Sequence, residues 1–393
     1  MSQPKKSIPY GLHQLDDDDI QAVVEVLKNG PITQGQTVEE FGEALANSSG
    51  AQYGVAVSSG SAALHLSVVA LGLGPGDEVI TTPMTFCATA NAALYQGAEV
   101  RFVDIDEKTL NLNPDLLEDK ITDRTKVIMP VDFRGHPANL PEIRRIADLH
   151  GLKVIEDGSH SMGSTYIHES KKFSCGDAIH ADLCTYSFHP VKHITTGEGG
   201  AVLTNDSDLH RRVSLLRKHG IDRREDMFSE ERRIGSWVYE MEDLGFNYRM
   251  TDFQAALGLS QLKKLERFKV RRRAIVSYYN EHFSEIDELI TPFEDEHVDS
   301  NFHIYVLQVR ENPRFDRYDL FTFLKGLGYA PMVLYIPVHL LKYYRMRYGY
   351  KRGDYPVSEK FYDRSLAIPL YPSLTDSEVE KLVDDIKRFF AFC

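Results

Sequence analysis

Apolar and polar positions along this chain fall into two alternating rhythms. From Asp16 to Asn29, Ile20, Val23, Val24, Val26 and Leu27 recur at helical spacing, and Asn29-Gly30-Pro31 closes the element. A second helix is predicted over Val38–Ser48, a short strand over Gly54–Val57, a small-residue turn at Ser58–Ser61 and a helix over Ala62–Leu71. Strands then follow near Glu78–Thr82, Val100–Asp104, Lys126–Val131, Lys153–Asp157, Asp182–Ser187 and Gly200–Thr204, about seven with the first. Helices between them fall near Phe86–Tyr95, Pro114–Ile121 and Leu140–His150. Such alternation predicts an α/β fold built on a mainly parallel, doubly wound sheet, with ligands at the carboxyl ends of its strands.

Beyond a helix at Leu209–His219, the polar stretch Gly220–Asp243 carries the only tryptophan, Trp237, and reads as a long loop. Helices at Asp252–Leu265 and Arg267–Phe283 lead to a strand at Ile304–Val309, a helix at Arg317–Leu327, a strand near Met332–Ile336 and a last helix at Asp376–Phe390. That order predicts a large domain over 1–265, and a smaller α+β domain over 266–393 beside which the N-terminal segment can pack.

Composition narrows the classes. Lysine and arginine total 45 against 58 acidic residues, with no extended basic stripe, which argues against nucleic acid as a partner. The run Asp16–Asp19 heads a helix and reads as a complement to its dipole, not as a metal site. Four cysteines without paired spacing indicate neither zinc nor a disulfide framework, and no apolar run approaches membrane-spanning length. The expectation is a cytoplasmic protein that uses no metal and no membrane.

The chemistry centres on Tyr186–Gly200, YSFHPVKHITTGEGG, where a strand runs into a Gly-rich turn bearing Lys192. A lysine that holds an aldehyde cofactor must shed its proton near neutral pH, and a poorly solvated strand end beside His189 and His193 suits that need. Ser58-Ser59-Gly60-Ser61 before a helix forms a ready anion site, and Ser187 offers a further hydroxyl. Asp157 ends the apolar strand LKVIED, where a carboxylate can keep a heteroaromatic nitrogen protonated; Phe86 is placed to stack on a planar ring. Each feature alone has an ordinary alternative: a solvated loop lysine, a helix cap, a core aromatic.

Together, SFHPVK-HITTGEGG, IEDGSHSMGS, SSGSAALHL, ITTPMTFCATANA and LGFNYRMTDFQAALGLSQL resemble the DegT/DnrJ/EryC1/StrS family of pyridoxal 5′-phosphate (PLP) sugar aminotransferases. The resemblance implies the fold type I architecture, with a mixed seven-stranded sheet and a smaller C-terminal α+β domain. It also implies a homodimer with shared active sites, a nucleotide-ketosugar substrate and L-glutamate as amino donor. Lys192 would hold the cofactor and move the proton, and Asp157 would pair with the pyridine nitrogen. Phe86 would stack on the ring, with His160 near the ring hydroxyl. Gly60, Ser61 and Ser187 would bind the phosphate, together with Asn247 of the partner subunit. Family members with a histidine in place of the lysine are dehydrases, so Lys192 favours transamination.

Several stretches, among them GPITQGQTVEEF and YIPVHLLKYYR, are similar to members that aminate C4 of a UDP-4-keto-6-deoxy-N-acetylhexosamine of the pseudaminic-acid type. By that likeness His189, Tyr335, His339 and Tyr344 would face the sugar nucleotide. Two departures, Leu334 where a histidine is expected and a longer HESKKFSCGDAIH, leave open another ketosugar of the perosamine or viosamine type. A non-catalytic protein on the same scaffold is the reading that Lys192 and Asp157 oppose.

Overall fold

The structure, a computed structural model, describes residues 7–222 and 237–392. Seven strands form the central sheet in the spatial order Tyr53–Val57, Gly200–Thr204, Leu183–Ser187, Lys153–Asp157, Thr125–Ile128, Glu78–Thr81 and Glu99–Phe102. All run parallel except Gly200–Thr204, which is antiparallel to both neighbours. Side chains alternate between the two faces, as a strand's period of two requires. Val55, Val57 and Val202 join the core beneath the helix Gly60–Ala70, whereas Ala56, Ala201 and Leu203 join the core of Phe41 and Leu45 on the other face. Helices therefore cover both sides, and the strands read as near-continuous apolar runs.

A second core gathers Ile275, Tyr279 and Phe283 of the helix Leu265–Phe283 against the antiparallel strands Leu289–Ile290, Tyr305–Val309 and Ser365–Ile368 and the helix Asp376–Phe392. Ile8–Pro9 pairs in parallel with Tyr329–Ala330, so the N-terminal segment lies on this second unit. A smaller cluster, with Met84, Phe133, Ile304, Val306, Leu334 and Phe361, joins the two beneath one end of the large sheet.

The acidic start of the first helix, Asp17–Asn29, has a structural role. Asp16 closes a capping box with Asp19, and Asp19 is buried on Ser260 and Gln261, each at 2.7 Å, and on Lys264.

Other expectations are corrected. Pro114–Ile121 forms two single-turn 3₁₀ segments, because Leu117 is its one fully buried anchor and Asn113 caps a turn instead. Met332–Ile336 is no strand: Pro331 and Pro337 bracket it, and only Met332 pairs, with Ala367. The helix after the first strand starts at Gly60, not Ala62. The longer HESKKFSCGDAIH stretch contributes a hairpin, Thr165–His168 with Lys171–Ser174, turned by Glu169 and Ser170 at positive φ and extended by Val298–Asp299. Of the long loop, Ile221–Asp222 pairs with Glu240–Met241 and Trp237 is exposed, while 223–236 lie outside the described residues.

Candidate active site

Four parallel strands end at one cavity of about 410 Å³. Tyr53–Val57 delivers Ser59, Gly60 and Ser61; Glu78–Thr81 delivers Phe86 through the turn at 82–85. Lys153–Asp157 ends in Asp157 with His160 just beyond, and Leu183–Ser187 ends in Ser187, followed by His189 and Lys192. Tyr335 enters from the far side.

The anion end is shaped by close approach. Ser59 caps the helix Gly60–Ala70, its hydroxyl accepting from Ala62 N–H at 3.1 Å. A Cβ at Gly60 would stand 2.8 Å from the Cβ of Ser187, closer than real side chains come. On the next strand, a Cβ at Gly200 would collide with the Ser59 carbonyl. Small residues thus bring a helix N-terminus, its free N–H groups and the Ser187 hydroxyl onto one point, which is what a phosphate needs.

Lys192 is half-buried on the turn that follows, with its N–H donating to the His189 carbonyl at 2.8 Å. Removal from water pushes its amine down to about 8, against the opposing pull of Asp157. His160 is buried and held well below its usual value, first by burial and then by the positive charge of Lys192. Its Nε2 lies 3.3 Å from the Tyr335 hydroxyl, and its Nδ1 has no partner among the described residues. Burial also raises the Tyr335 phenol. Asp157 is 3% exposed and receives Thr89 Oγ1–H at 2.7 Å and Ser159 N–H at 3.1 Å. Phe86 is 56% exposed at the mouth, its ring 5.7 Å from that of Tyr335.

Of the residues expected at the site, Gly60, Ser61, Phe86, Asp157, His160, Ser187, His189, Lys192 and Tyr335 line this cavity. His339 and Tyr344 do not, and Asn247, expected from the partner subunit, lies outside the cavity of its own chain. Asn247 is exposed and bridges the backbone of Lys218. His339 is fully buried, 2.9 Å from the Glu359 carboxylate. The Tyr344 hydroxyl donates to Asn91 Oδ1 at 2.7 Å, beside a separate cavity flanked by Tyr95 and Tyr343. Sequence reasoning missed Tyr10, Thr85, Thr89, Ser159 and Glu198, which line the same cavity. Thr89 had one local signal: it is a polar residue in the first turn of a largely apolar helix capped at Phe86.

These residues fit PLP. The Gly60–Ser187 cradle, with no room for a Cβ, suits its phosphate; the low-pKa amine suits its aldehyde; the hydrogen-bonded carboxylate suits its ring nitrogen; and the orphaned nitrogen of His160 adds a polar contact. A lysine and a carboxylate so placed, at the carboxyl edge of a seven-stranded sheet with one reversed strand, define a fold type I PLP-dependent aminotransferase. The chain belongs to the DegT/DnrJ/EryC1/StrS aminotransferase family, whose model matches residues 13–387.

It is 40% identical to the spore coat polysaccharide biosynthesis protein SpsC of Bacillus subtilis over 97% of this chain and 96% of that protein. To the UDP-4-amino-4,6-dideoxy-N-acetyl-beta-L-altrosamine transaminase of Campylobacter jejuni it is 34% identical, over 96% of each. Among solved structures, the aminotransferase PseC of Helicobacter pylori, involved in the biosynthesis of pseudoaminic acid, superposes with a TM-score of 0.87. The two share 29% identity, covering 99% of this chain and 100% of that one. Sugar aminotransferase CalS13 of Micromonospora echinospora gives a TM-score of 0.85 at 29% identity, over 97% and 99% of the two chains. The protein is therefore a PLP-dependent sugar aminotransferase, acting on a sugar substrate and an amino donor.

Proposed function

We propose that the protein moves an amino group from L-glutamate to C4 of a UDP-4-keto-6-deoxy-N-acetylhexosamine of the pseudaminic-acid type. The observation that carries the exchange is Lys192: a lysine at the cavity wall whose amine is brought down to about 8 can release and regain a proton at working pH. When bound, PLP supplies an electrophilic aldehyde and a ring that withdraws charge. The protein's own groups do the rest. Lys192 Nζ takes the proton from the donor's α-carbon and, in the reverse half, delivers one to C4 of the sugar. Asp157 keeps a negative charge facing the ring nitrogen, the Gly60–Ser187 cradle fixes the phosphate, and Phe86 with Tyr335 narrows the mouth against water.

The C4 ketosugar is supported by the similarity to the altrosamine transaminase and to PseC. The same reading has the protein working as a homodimer in which Asn247 of the partner subunit completes each phosphate site. It divides the chain into domains 1–265 and 266–393, a division supported by the separate core around Ile275, Tyr279 and Phe283, while Val338 and Tyr344 pack into the core of the large sheet. Cys87, Cys175 and Cys184 are unpaired, as a reducing cytoplasm leaves thiols. One observation favours a different nucleotide ketosugar, of the perosamine or viosamine type. Leu334 is packed with Met84 and Phe133 in an apolar cluster, so the position before Tyr335 offers no polar group to a sugar.

The test is the visible spectrum of PLP-loaded protein with and without glutamate, for wild type and Lys192→Ala, followed by mass spectrometry of products from a panel of UDP- and dTDP-ketosugars. A cofactor band that bleaches with glutamate only in the wild type supports the donor. A loaded wild type that ignores glutamate excludes it, and a product only from another ketosugar moves the assignment to that sugar.

A further inference from the structure

Asp157 receives one protein donor on each carboxylate oxygen. Ser159 N–H donates to Oδ1 at 3.1 Å, and the Thr89 hydroxyl donates to Oδ2 at 2.7 Å. Thr89 Oγ1 lies 2.8 Å from the Thr85 hydroxyl, and all three side chains are buried. A hydroxyl carries one hydrogen, and a carboxylate has none to give. The Thr89 hydrogen therefore points to Asp157, and the Thr85 hydrogen to Thr89. The direction Thr85 to Thr89 to Asp157 follows from valence.

A competing acceptor explains why two threonines are used. The Phe86 carbonyl is 3.2 Å from Thr89 Oγ1, at the spacing where a threonine in a first helical turn bonds back to its own backbone. Bonding there would leave Oδ2 without its protein donor. The hydroxyl of Thr85 delivers a hydrogen to Thr89 and polarises it toward the charged acceptor, which is the shorter contact. The entry to the helix Cys87–Tyr95 sets this geometry: Thr85 lies in the bend just before the N-cap Phe86 and Thr89 in the first turn, so the two hydroxyls meet while Phe86 is left at the cavity mouth.

We propose that Thr89 is a positioning residue for Asp157 and that Thr85 holds Thr89 in its donating orientation, so that the carboxylate stays aimed where the ring nitrogen of the bound cofactor is held. The inference rests on PLP as cofactor and is independent of which sugar or donor is used. Without the Thr89 donor the carboxylate is held by Ser159 N–H alone and can turn away from the ring nitrogen, and a longer contact between the two lowers the pH to which that nitrogen stays protonated.

The experiment uses protein loaded with PLP labelled with ¹⁵N in the ring, without substrates, and follows the ¹⁵N signal and the visible band against pH. In Thr89→Val the ring-nitrogen titration is expected to move down by about one pH unit or more. Thr89→Ser, which keeps the hydroxyl, is expected to restore it, and Thr85→Val to give a smaller shift in the same direction. Turnover with the working donor should fall about tenfold in Thr89→Val with KM nearly unchanged. A wild-type titration in folded, loaded Thr89→Val overturns the proposal, as does failure of serine to rescue. Should Thr89→Val not fold, Thr85→Val decides: an unshifted titration there overturns the proposal, and a downward shift supports it. A protein that ignores glutamate would leave this titration readable, so the two readings fail separately.

Discussion

Gly60 and Ser187 stand so close that a single added carbon on one would press on the other: a Cβ at Gly60 would lie 2.8 Å from that of Ser187 and 3.0 Å from its hydroxyl oxygen. The contact ties the first turn of a helix to the end of a strand two places away in the sheet. Gly60→Ala should therefore weaken PLP binding by about 1–3 kcal/mol, while helix propensity in the same turn is not harmed. Spectroscopic titration with PLP measures this, with thermal melting as control. Unchanged affinity would remove Gly60 and Ser187 from the phosphate site.

Lys192 sets a pH dependence whose sign is fixed. Its amine is brought down to about 8 from 10.5 in the folded, cofactor-free protein. Between those values the unfolded chain binds a proton that the folded chain does not, so stability rises with pH across the window; below about 8 the full cost of burying the ammonium is present. Lys192→Met is expected to stabilise the cofactor-free protein by about 1–3 kcal/mol at pH 7 and to lose that advantage by pH 10.5. Denaturant melts at the two pH values check it, and equal melts for both proteins at pH 7 would contradict it.

Asp157→Asn keeps the shape and removes the charge. It should lower turnover by about 10²-fold or more with the sugar's KM changed only severalfold, since the carboxylate acts on the ring and not on the substrate. Steady-state kinetics with both substrates separates the two parameters. An affinity defect with normal turnover would contradict the role.

His339 is expected to matter for folding rather than for recognition. It is sealed from solvent against Glu359, which also accepts from the N–H groups of Gly353 and Tyr355. His339→Ala should cost about 1–3 kcal/mol of stability and leave the sugar's KM unchanged. A raised KM in a protein of normal stability would return His339 to the binding site.

What the chain's pattern revealed, and what it hid, divides by range. Val55, Val57, Ile155 and Leu183 sit in continuous apolar runs that only a sheet covered on both faces accommodates, so those strands and the residues at their ends were readable, Asp157 and Ser187 included. The reversed direction of Gly200–Thr204 has no such signature, and its place in the fold was implied only by family resemblance. Pro114–Ile121 misled because Leu116, Leu117 and Ile121 imitate a helical stripe while only Leu117 is fully buried, with Ile121 packed at the edge of the same core. Tyr10 reaches the cavity because Ile8–Pro9 joins Tyr329–Ala330, a pairing between distant stretches of the chain that no local pattern encodes. His339 and Tyr344 failed to appear at the cavity for the opposite reason: likeness of motif carries residue identity, not side-chain direction.

The reversed strand also limits how this enzyme can change. Ser187 pairs with Gly200, and Phe188 N–H donates to the Gly199 carbonyl at 2.9 Å, so the twelve-residue bend that holds Lys192 is fastened at both feet to the same ladder. Adding or deleting one residue there would either slip the register and turn Ala201 and Leu203 to the wrong face, or swing the amine away from Asp157. That bend tolerates substitution but not a change of length. New sugar preferences have more room on the opposite rim, where Tyr335 comes from outside the sheet and can be exchanged without disturbing it.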